Sequence, residues 1–204
     1  MARLALATHN AHKVEELRAI LAPLIADLAP EDVVSAAQLD APSPVEDGVT
    51  FQENALIKAR ALAAASGLPA IADDSGIAVD VMGGAPGIFS ALWAGRHGAD
   101  RENVDLLLAQ MADIPERHRR ASFVCAAALV TPDGHEVVEL GTLEGRLAAA
   151  PAGANGFGYD PVFIPDGEGV TSAELTPERK NEISHRAAAF RALAPHVVAA
   201  LARP

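Results

Sequence analysis

Short apolar runs alternate along the chain with segments in which apolar residues recur at helical spacing. The runs at residues 4–7, 33–36 and 122–130 predict buried strands, and the third is apolar enough to be covered on both faces. The turn Pro132-Asp133-Gly134 leads from the third run into a further strand over residues 137–140. Interleaved strands and helices with one hairpin indicate the α/β class with a mixed β-sheet.

Four segments have the spacing of amphipathic helices. The first places its apolar residues at positions 14, 17, 20 and 21. The capping box Thr50-Phe-Gln-Glu53 opens the second, which runs to the stop signal Gly67. Asp100 is expected to cap the third helix. The segment Thr176-Pro177 opens a fourth, which we expect to continue to the C-terminus with Pro195 as its interruption.

Two adjacent carboxylates close another apolar run, in Ile71-Ala72-Asp73-Asp74-Ser75-Gly76. We expect the strand to end there and a new strand to cover residues 77–81. Adjacent buried like charges require a compensating cation or a shared proton. Magnesium prefers oxygen ligands, often one or two carboxylates together with substrate phosphates. The segment therefore indicates metal-assisted phosphate chemistry, and the alternative is an Asp-rich turn without such a role.

Composition narrows the class of protein. The 204 residues suggest one domain covering residues 1–204, and half of them are hydrophobic while only 4% are aromatic, so alanine must fill much of the core. The formal net charge of -11 argues against a general nucleic-acid binder, although a local cation can still recruit a phosphate ligand. The single cysteine, Cys125, excludes an internal disulfide. No run is long enough to span a membrane and the opening is too short for a signal peptide, which predicts a cytoplasmic protein without a membrane partner.

A strand-to-helix turn near the N-terminus is a candidate anion site. Free backbone N–H groups and the helix dipole favour phosphate there, and Thr8, Asn10 and Lys13 add polar side chains and a charge. The alternative interpretation is an ordinary helix cap with a solvated lysine.

Two further groups lie in the C-terminal half. Lys180, His185 and Arg186 would share one helix, either as donors to a carbonyl or phosphate or as a solvated basic face. Phe157 and Tyr159 lie in a glycine-rich segment, where an aromatic ring can stack on a nucleobase or simply anchor a turn. Motifs typical of zinc proteases, thiol redox proteins, serine hydrolases, P-loop proteins and dinucleotide enzymes are absent from the sequence.

Taken together and in order, these segments resemble the inosine/xanthosine triphosphate pyrophosphatases. The matching motifs extend from the first strand to residue 186. They are Thr8-x-Asn10-x-x-Lys13, Phe51-x-Glu53-Asn54-Ala55 with Lys58, Ala72-Asp-Asp-Ser-Gly-x-x-Val79-Asp80, Gly83-Gly-Ala-Pro-Gly87, Gly156-Phe-Gly-Tyr-Asp-Pro161 and Ser184-His-Arg186.

The resemblance implies an elongated mixed β-sheet flanked by helices, with two lobes around a central nucleotide-binding cleft, in a homodimer. It implies hydrolysis of ITP, dITP and XTP to the monophosphate and pyrophosphate with Mg²⁺. Asp74 and Lys58 would be catalytic, and Asp74 and Glu46, from the acidic loop at residues 40–48, would contact the metal. The residues implied in substrate binding are Thr8, His9, Asn10, Ala11, His12, Lys13, Ser75, Phe157, Gly158, Tyr159, Asp160, Lys180, His185 and Arg186.

Two positions depart from the pattern of the family that the chain resembles. Leu92 stands where an arginine is common, and His9 stands where a glycine is often found. Neither departure involves Asp74, the general base that the resemblance implies. Two other functions stay open: a pyrophosphatase for pyrimidine or modified nucleotides, and a nucleotide sensor without catalysis.

Overall fold

The computed structural model describes residues 2–9, 11–25 and 28–202, with the backbone alone of residues 11 and 12. The described part of the chain contains β1 (Leu4–Leu6), α1 (Ala11–Leu21), β2 (Val33–Ser35), α2 (Phe51–Ser66), β3 (Ala70–Val79), α3 (Asp100–Gln110), β4 (Arg120–Val130), β5 (Glu136–Leu147), β6 (Phe163–Pro165), α4 (Pro177–Ile183) and α5 (His185–Leu201). No helix among these combines the length and the apolar character that crossing a bilayer requires.

The strands form one mixed sheet in the order β2-β1-β3-β4-β5-β6. β1 pairs in parallel with both β2 and β3, whereas β5 and β6 are antiparallel. Helices and strands alternate along the chain as the apolar pattern predicts, so the expected α/β class and mixed sheet are confirmed.

The chain divides into two compact units. The first unit comprises the residues up to Asp74, those from Cys125 to Gly141 and those from Arg186 onward. The second unit comprises Ser75–Val124 and Thr142–His185. Strands β3, β4 and β5 each contribute residues to both units. The single domain expected from the chain length stays a prediction.

Two apolar clusters build the first unit, one on each face of its strands. Aliphatic side chains of α1 and α5, together with Phe190 of α5, pack against Leu4, Leu6 and Ile71 on one face. On the other face, alanines of α2 pack against Ala5, Ala70 and their neighbours on β4. Because alanine side chains are short, normal packing density requires the α2 backbone to approach the sheet closely. This approach brings the polar residues at the edge of α2 near β3.

The second unit has its own core, in which α3 packs against the ends of β3 and β4. Arg119 is buried beside this core, and its guanidinium donates to the carbonyls of Met111, Ile114 and Ala148 at 2.8, 2.8 and 3.1 Å. The arginine therefore satisfies backbone acceptors at the end of α3 and beyond β5, where regular pairing stops.

The elements differ from the expectations at three places. β3 continues without a break through Asp73, Asp74 and Gly76 to Val79, so the acidic pair lies in mid-strand rather than at its end. Side-chain contacts to both aspartates, described below, make the extended conformation favourable there. Asp100 is the first residue of α3 and not its cap, because its carboxylate accepts a hydrogen bond from the Gly158 backbone instead.

The C-terminal helix is interrupted at a different residue from the one expected. Ser184 is extended, with φ -62° and ψ 149°, and separates α4 from α5. Pro195, the expected interruption, lies inside α5. Lys180 is consequently on α4, while His185 and Arg186 begin α5. The prediction that these three residues share one helix is therefore wrong.

Candidate active site

The two adjacent aspartates of β3 point to opposite faces of the sheet. Side chains alternate along a strand, so Asp73 lies on the same face as Ile71, and Asp74 on the same face as Ala72. The first face is covered by α1 and α5 and the second by α2. Asp73 and Asp74 therefore meet different helices, and each obtains its own cations rather than sharing one.

On the α2 face, Lys58 joins two carboxylates. Its ammonium donates to Asp74 Oδ1 at 2.9 Å and to Glu46 Oε2 at 2.8 Å. Asn54, one helical turn earlier, donates from Nδ2 to Asp74 Oδ2 at 3.4 Å and accepts from the Gly48 N–H at 2.9 Å. The spacing of four residues on α2 thus places an amide and a cation on the same carboxylate.

This environment changes the proton affinity of both partners. Burial raises the pKa of the Asp74 carboxyl, and the Lys58 ammonium opposes that effect without cancelling it. Burial lowers the pKa of Lys58, but the charges of Asp74, Asp73 and Glu46 outweigh burial, so the pKa of Lys58 is raised. A half-buried carboxylate with a raised pKa beside a permanent cation is suited to accept a proton near neutral pH.

On the opposite face, Asp73 is buried among cations. Lys13 of α1 donates to its two oxygens at 3.2 and 3.3 Å, and Arg186 donates from Nε and Nη2 to Oδ2 at 3.1 Å each. Arg186 also donates to Glu16 Oε2 at 2.9 Å. Burial lowers the pKa of Arg186, but the Asp73 and Glu16 carboxylates more than compensate, so the pKa is raised and the guanidinium stays charged.

The segment implied to hold phosphates has a mixed outcome. β1 leads into α1 as predicted, Thr8 is buried, and Lys13 lies on the first turn of α1 against Asp73. His9 directs its ring to the acidic loop, with Nε2 at 2.9 Å from the Ala41 carbonyl oxygen and Nδ1 at 3.1 Å from Ser43 Oγ. Asn10 and the side chains of Ala11 and His12 lie outside the described residues, and the phosphate-binding roles stay predictions.

In the second unit, the glycine-rich loop forms a separate polar cluster. Lys180 donates to Asp160 Oδ2 at 2.6 Å, and the Phe157 N–H donates to the same oxygen at 2.8 Å. The Lys180 ammonium lies 5.0 Å from the centre of the Phe157 ring, a cation–π contact. Gly156 has a φ of 77°, and a Cβ there would lie 2.9 Å from Lys180 Nζ, so only glycine fits this close approach.

Three other implied substrate contacts also lie in the second unit. Tyr159 is buried and donates its hydroxyl to the Ser90 carbonyl at 2.9 Å, and burial raises the pKa of its phenol. The His185 ring stacks on Phe123 with centroids 4.9 Å apart. Ser75 is half-buried on β3. Their binding roles stay predictions.

Sequence reasoning gave no role to two residues that the structure brings to the aspartates. Asn54 enters the sequence analysis only as part of a family motif, yet its spacing of four from Lys58 is a usable signal. Glu16 follows Lys13 by three residues on α1, which places both on one helix face. Its partner Arg186 is remote in the chain, so no local pattern could have revealed the pair.

Metal ligands are few in this arrangement. Across the residues that the structure describes, no three His, Cys, Asp or Glu side chains converge as a complete protein-made metal site would require. Asp74 and Glu46 do come together as a pair, because both accept from the Lys58 ammonium.

Comparison with known proteins gives concordant matches over almost the whole chain. A sequence model of the Ham1 family matches residues 4–196. The chain is 64% identical over 198 residues to a dITP/XTP pyrophosphatase of Streptomyces coelicolor, covering 97% of this chain and 98% of that protein. It is 62% identical over 197 residues to a dITP/XTP pyrophosphatase of Streptomyces avermitilis, covering 97% and 98%. A solved structure of a HAM1 protein from Coxiella burnetii matches with a TM-score of 0.85 at 37% identity, covering 98% of this chain and 100% of that one.

Proposed function

The chain belongs to the Ham1 family, and from this premise we propose that it hydrolyses dITP, XTP and related non-standard purine nucleoside triphosphates to the monophosphate and pyrophosphate. The observation that carries the proposal is the Asp74 carboxylate, which is half-buried, has a raised pKa and is held by Lys58 and Asn54. A group of this kind can take a proton from water at neutral pH, which is the step that a phosphoanhydride hydrolase requires.

The residues of the first unit have complementary roles in this proposal. Asp74 accepts the proton of the attacking water at one of its carboxylate oxygens. Lys58 keeps that carboxylate oriented and ionised before the water arrives. Lys13, at the start of α1, stabilises negative charge on the departing pyrophosphate together with the helix N-terminus. Positioning and charge stabilisation supply most of the rate enhancement in reactions of this class.

We propose Mg²⁺ as the cofactor, and the donor set supports this choice. Asp74 and Glu46 place hard carboxylate oxygens around one point that a cation, the Lys58 ammonium, already contacts. Two carboxylates with phosphate oxygens and water make a suitable set for Mg²⁺, and such a site needs no third protein ligand. When bound, the ion would neutralise phosphate charge and so favour approach of the nucleophile.

We assign recognition of the base to the second unit. Phe157 offers a ring that is 42% exposed, and Lys180 offers donors beside it. Hypoxanthine and xanthine carry a carbonyl at position 6, whereas adenine carries an amino group. A donor aimed at the carbonyl would be left unpaired by adenine, at a cost of about 1–3 kcal/mol. The resemblance also implies a substrate contact for Arg186, and its contacts with Asp73 and Glu16 support a structural role in addition.

We also propose a homodimer in the cytoplasm. Phe89, Val81 and Leu92 are exposed within one segment of the second unit, residues 81–92, Phe89 to 58%. Exposed apolar side chains grouped in one segment favour an interface. Light scattering after gel filtration tests the assembly. A Phe89→Glu variant should shift the mass toward that of a monomer, and a monomeric wild-type protein would overturn the dimer.

Pyrophosphate release with Mg²⁺ from ITP, dITP, XTP, GTP, ATP and dTTP tests the activity. We expect rapid release from the first three and little from the others. Preferential release from dTTP would support a pyrimidine specificity instead. ITP binding without pyrophosphate release from any nucleotide would support a nucleotide sensor without catalysis.

A further inference from the structure

We propose that His9 is a positioning residue, which fastens the first half of the acidic loop and thereby holds Glu46 where it meets Lys58. The inference rests on the proposed function, because it concerns how the carboxylates of that site are assembled. It gives the His9 side chain a partner within the protein in place of the substrate contact that the family resemblance implied.

Both nitrogens of the His9 ring engage the acidic loop. Nε2 lies 2.9 Å from the Ala41 carbonyl oxygen, which can only accept, so Nε2 carries the proton. In this neutral tautomer Nδ1 accepts from the Ser43 hydroxyl at 3.1 Å. One tautomer therefore satisfies both contacts, and they join residues 32 and 34 positions apart in the chain.

Apolar burial does little to fix this loop. Val45 and Val49 are 81% and 77% exposed, and Glu46 itself is exposed, whereas Ala41 is buried. A segment with so little buried apolar surface opens easily unless hydrogen bonds hold it. A backbone hydrogen bond from the Ala41 N–H to the Ala36 carbonyl, at 3.0 Å, holds the start of the loop, and side-chain contacts from outside the loop hold it further along.

Those contacts divide the loop into two halves. The second half is held from α2, where Asn54 accepts from the Gly48 N–H. The first half is held by His9 at Ala41 and Ser43. Glu46 lies between the two anchors and accepts from Lys58 at 2.8 Å. In this proposal it keeps that contact only while both anchors are closed. Release of the His9 anchor would free Glu46 to move away from Lys58 and from Asp74.

Hydrogen–deuterium exchange on the protein without nucleotide or metal tests the anchor directly. His9→Ala should accelerate exchange of the Ala41 amide, which donates to the Ala36 carbonyl at 3.0 Å, about tenfold, the factor expected for losing one or two ordinary hydrogen bonds. His9→Gln retains a donor for the Ala41 carbonyl and should recover part of the protection. Ser43→Ala removes one contact and should give a smaller increase. His97→Ala removes an exposed histidine of the second unit and serves as the matched control.

A second measurement connects the anchor to the site. His9→Ala should raise the Mg²⁺ concentration that gives half-maximal pyrophosphate release about tenfold, while kcat at saturating Mg²⁺ changes less than threefold. His9→Gln should fall between His9→Ala and wild type in both measurements. A merely structural role would not produce this separation between metal requirement and kcat.

Two results would overturn the proposal. The first is unchanged loop exchange in His9→Ala, which together with a higher KM for ITP would indicate direct substrate contact. The second is faster exchange with an unchanged Mg²⁺ requirement. The exchange measurement needs no turnover. Wild-type protein that releases no pyrophosphate would therefore refute the proposed function and leave the His9 anchor to be judged separately.

Discussion

The polar clusters of the two units differ in how many charges they bury and how those charges are balanced. In the first unit, Asp73 and Arg186 are each 3% exposed as side chains, and further charges come from α1, α2 and the acidic loop. In the second unit, one ion pair, Lys180 with Asp160, lies beside a half-exposed aromatic ring. Charge is concentrated where phosphate chemistry is proposed, and an aromatic face is available where base recognition is proposed.

This difference predicts how each cluster responds to substitution. A network of buried charges is costly to interrupt, because a removed partner leaves another charge buried without compensation. A single ion pair beside a loop has fewer neighbouring charges that rely on it for compensation. Substitutions in the first unit should therefore affect kcat or folding, and those in the second unit should affect substrate choice.

Asp74→Asn should give the largest effect. It removes the proton acceptor, and we expect kcat to fall about 10³-fold, which is typical of losing a general base. Because burial raises the pKa of Asp74 in the folded protein, the ionised carboxylate disfavours folding at neutral pH, so the melting temperature should equal or exceed that of wild type. Stopped-time pyrophosphate assays and calorimetry measure the two quantities.

Asp105→Asn neutralises an exposed carboxylate on α3 and is the matched control for that experiment. It should leave both kcat and melting temperature near wild type. Near-normal turnover in Asp74→Asn would show that another group accepts the proton.

Arg186→Met should give the next largest effect, on the stability of the folded protein. It would leave Asp73 and Glu16 without their shared guanidinium, and the free energy of unfolding should fall by about 3 kcal/mol. Arg186→Lys keeps the charge but loses the two-nitrogen fork, so it should fall between Met and wild type. Urea unfolding measures both. A loss of ITP preference with unchanged stability would restore Arg186 to base recognition.

Much of the fold could be predicted from the local sequence pattern. The predictions that were wrong have physical causes. The helix α2 begins after Thr50, whose side chain accepts from the Glu53 N–H, and is capped at Gly67 with a φ of 67°, as predicted. Only half of the predicted capping box forms, since Glu53 Oε2 accepts from the Val49 N–H rather than from that of Thr50. The run through Asp73 and Asp74 was expected to end because aspartate disfavours strands. Cations from Lys13, Lys58 and remote Arg186 reverse that preference, and they come from other elements, which no local window contains.

The site shows the same limit. Lys58 and Asn54 could be paired from helical spacing, and Asp74 from its motif. That Asp73 and Asp74 lie on opposite faces of the sheet follows from the two-residue period of a strand, once the strand is known to continue through them. The Glu16–Arg186 pair spans 170 positions in the chain, and its existence depends on tertiary packing alone.

Lys58→Met should have a smaller effect on turnover than Asp74→Asn and a distinct pH signature. The Lys58 ammonium lowers the pKa of Asp74, so its removal raises that pKa further. The acid limb of the kcat/KM profile should move to higher pH, and kcat should fall about 10²-fold through lost electrostatic stabilisation. Arg60→Met, which removes an exposed cation of the same helix, should leave the profile in place. An acid limb that stays in place in Lys58→Met would show that Lys58 does not influence the pKa of Asp74.

Lys180→Met should give the smallest effect, confined to substrate choice. Loss of its donors removes the penalty against adenine, and the ratio of kcat/KM for ITP over ATP should fall about tenfold with kcat for ITP nearly unchanged. Arg179→Met is the matched control, because Arg179 is the adjacent cation on α4 and pairs with Glu168 and Glu182 instead. If Lys180→Met lowers kcat for ITP and ATP equally, the second unit contributes to the chemical step, and the division between a phosphate cluster and a base cluster is wrong. If only the ratio changes, the buried charges of the first unit carry the chemistry, and the ion pair of the second carries selection.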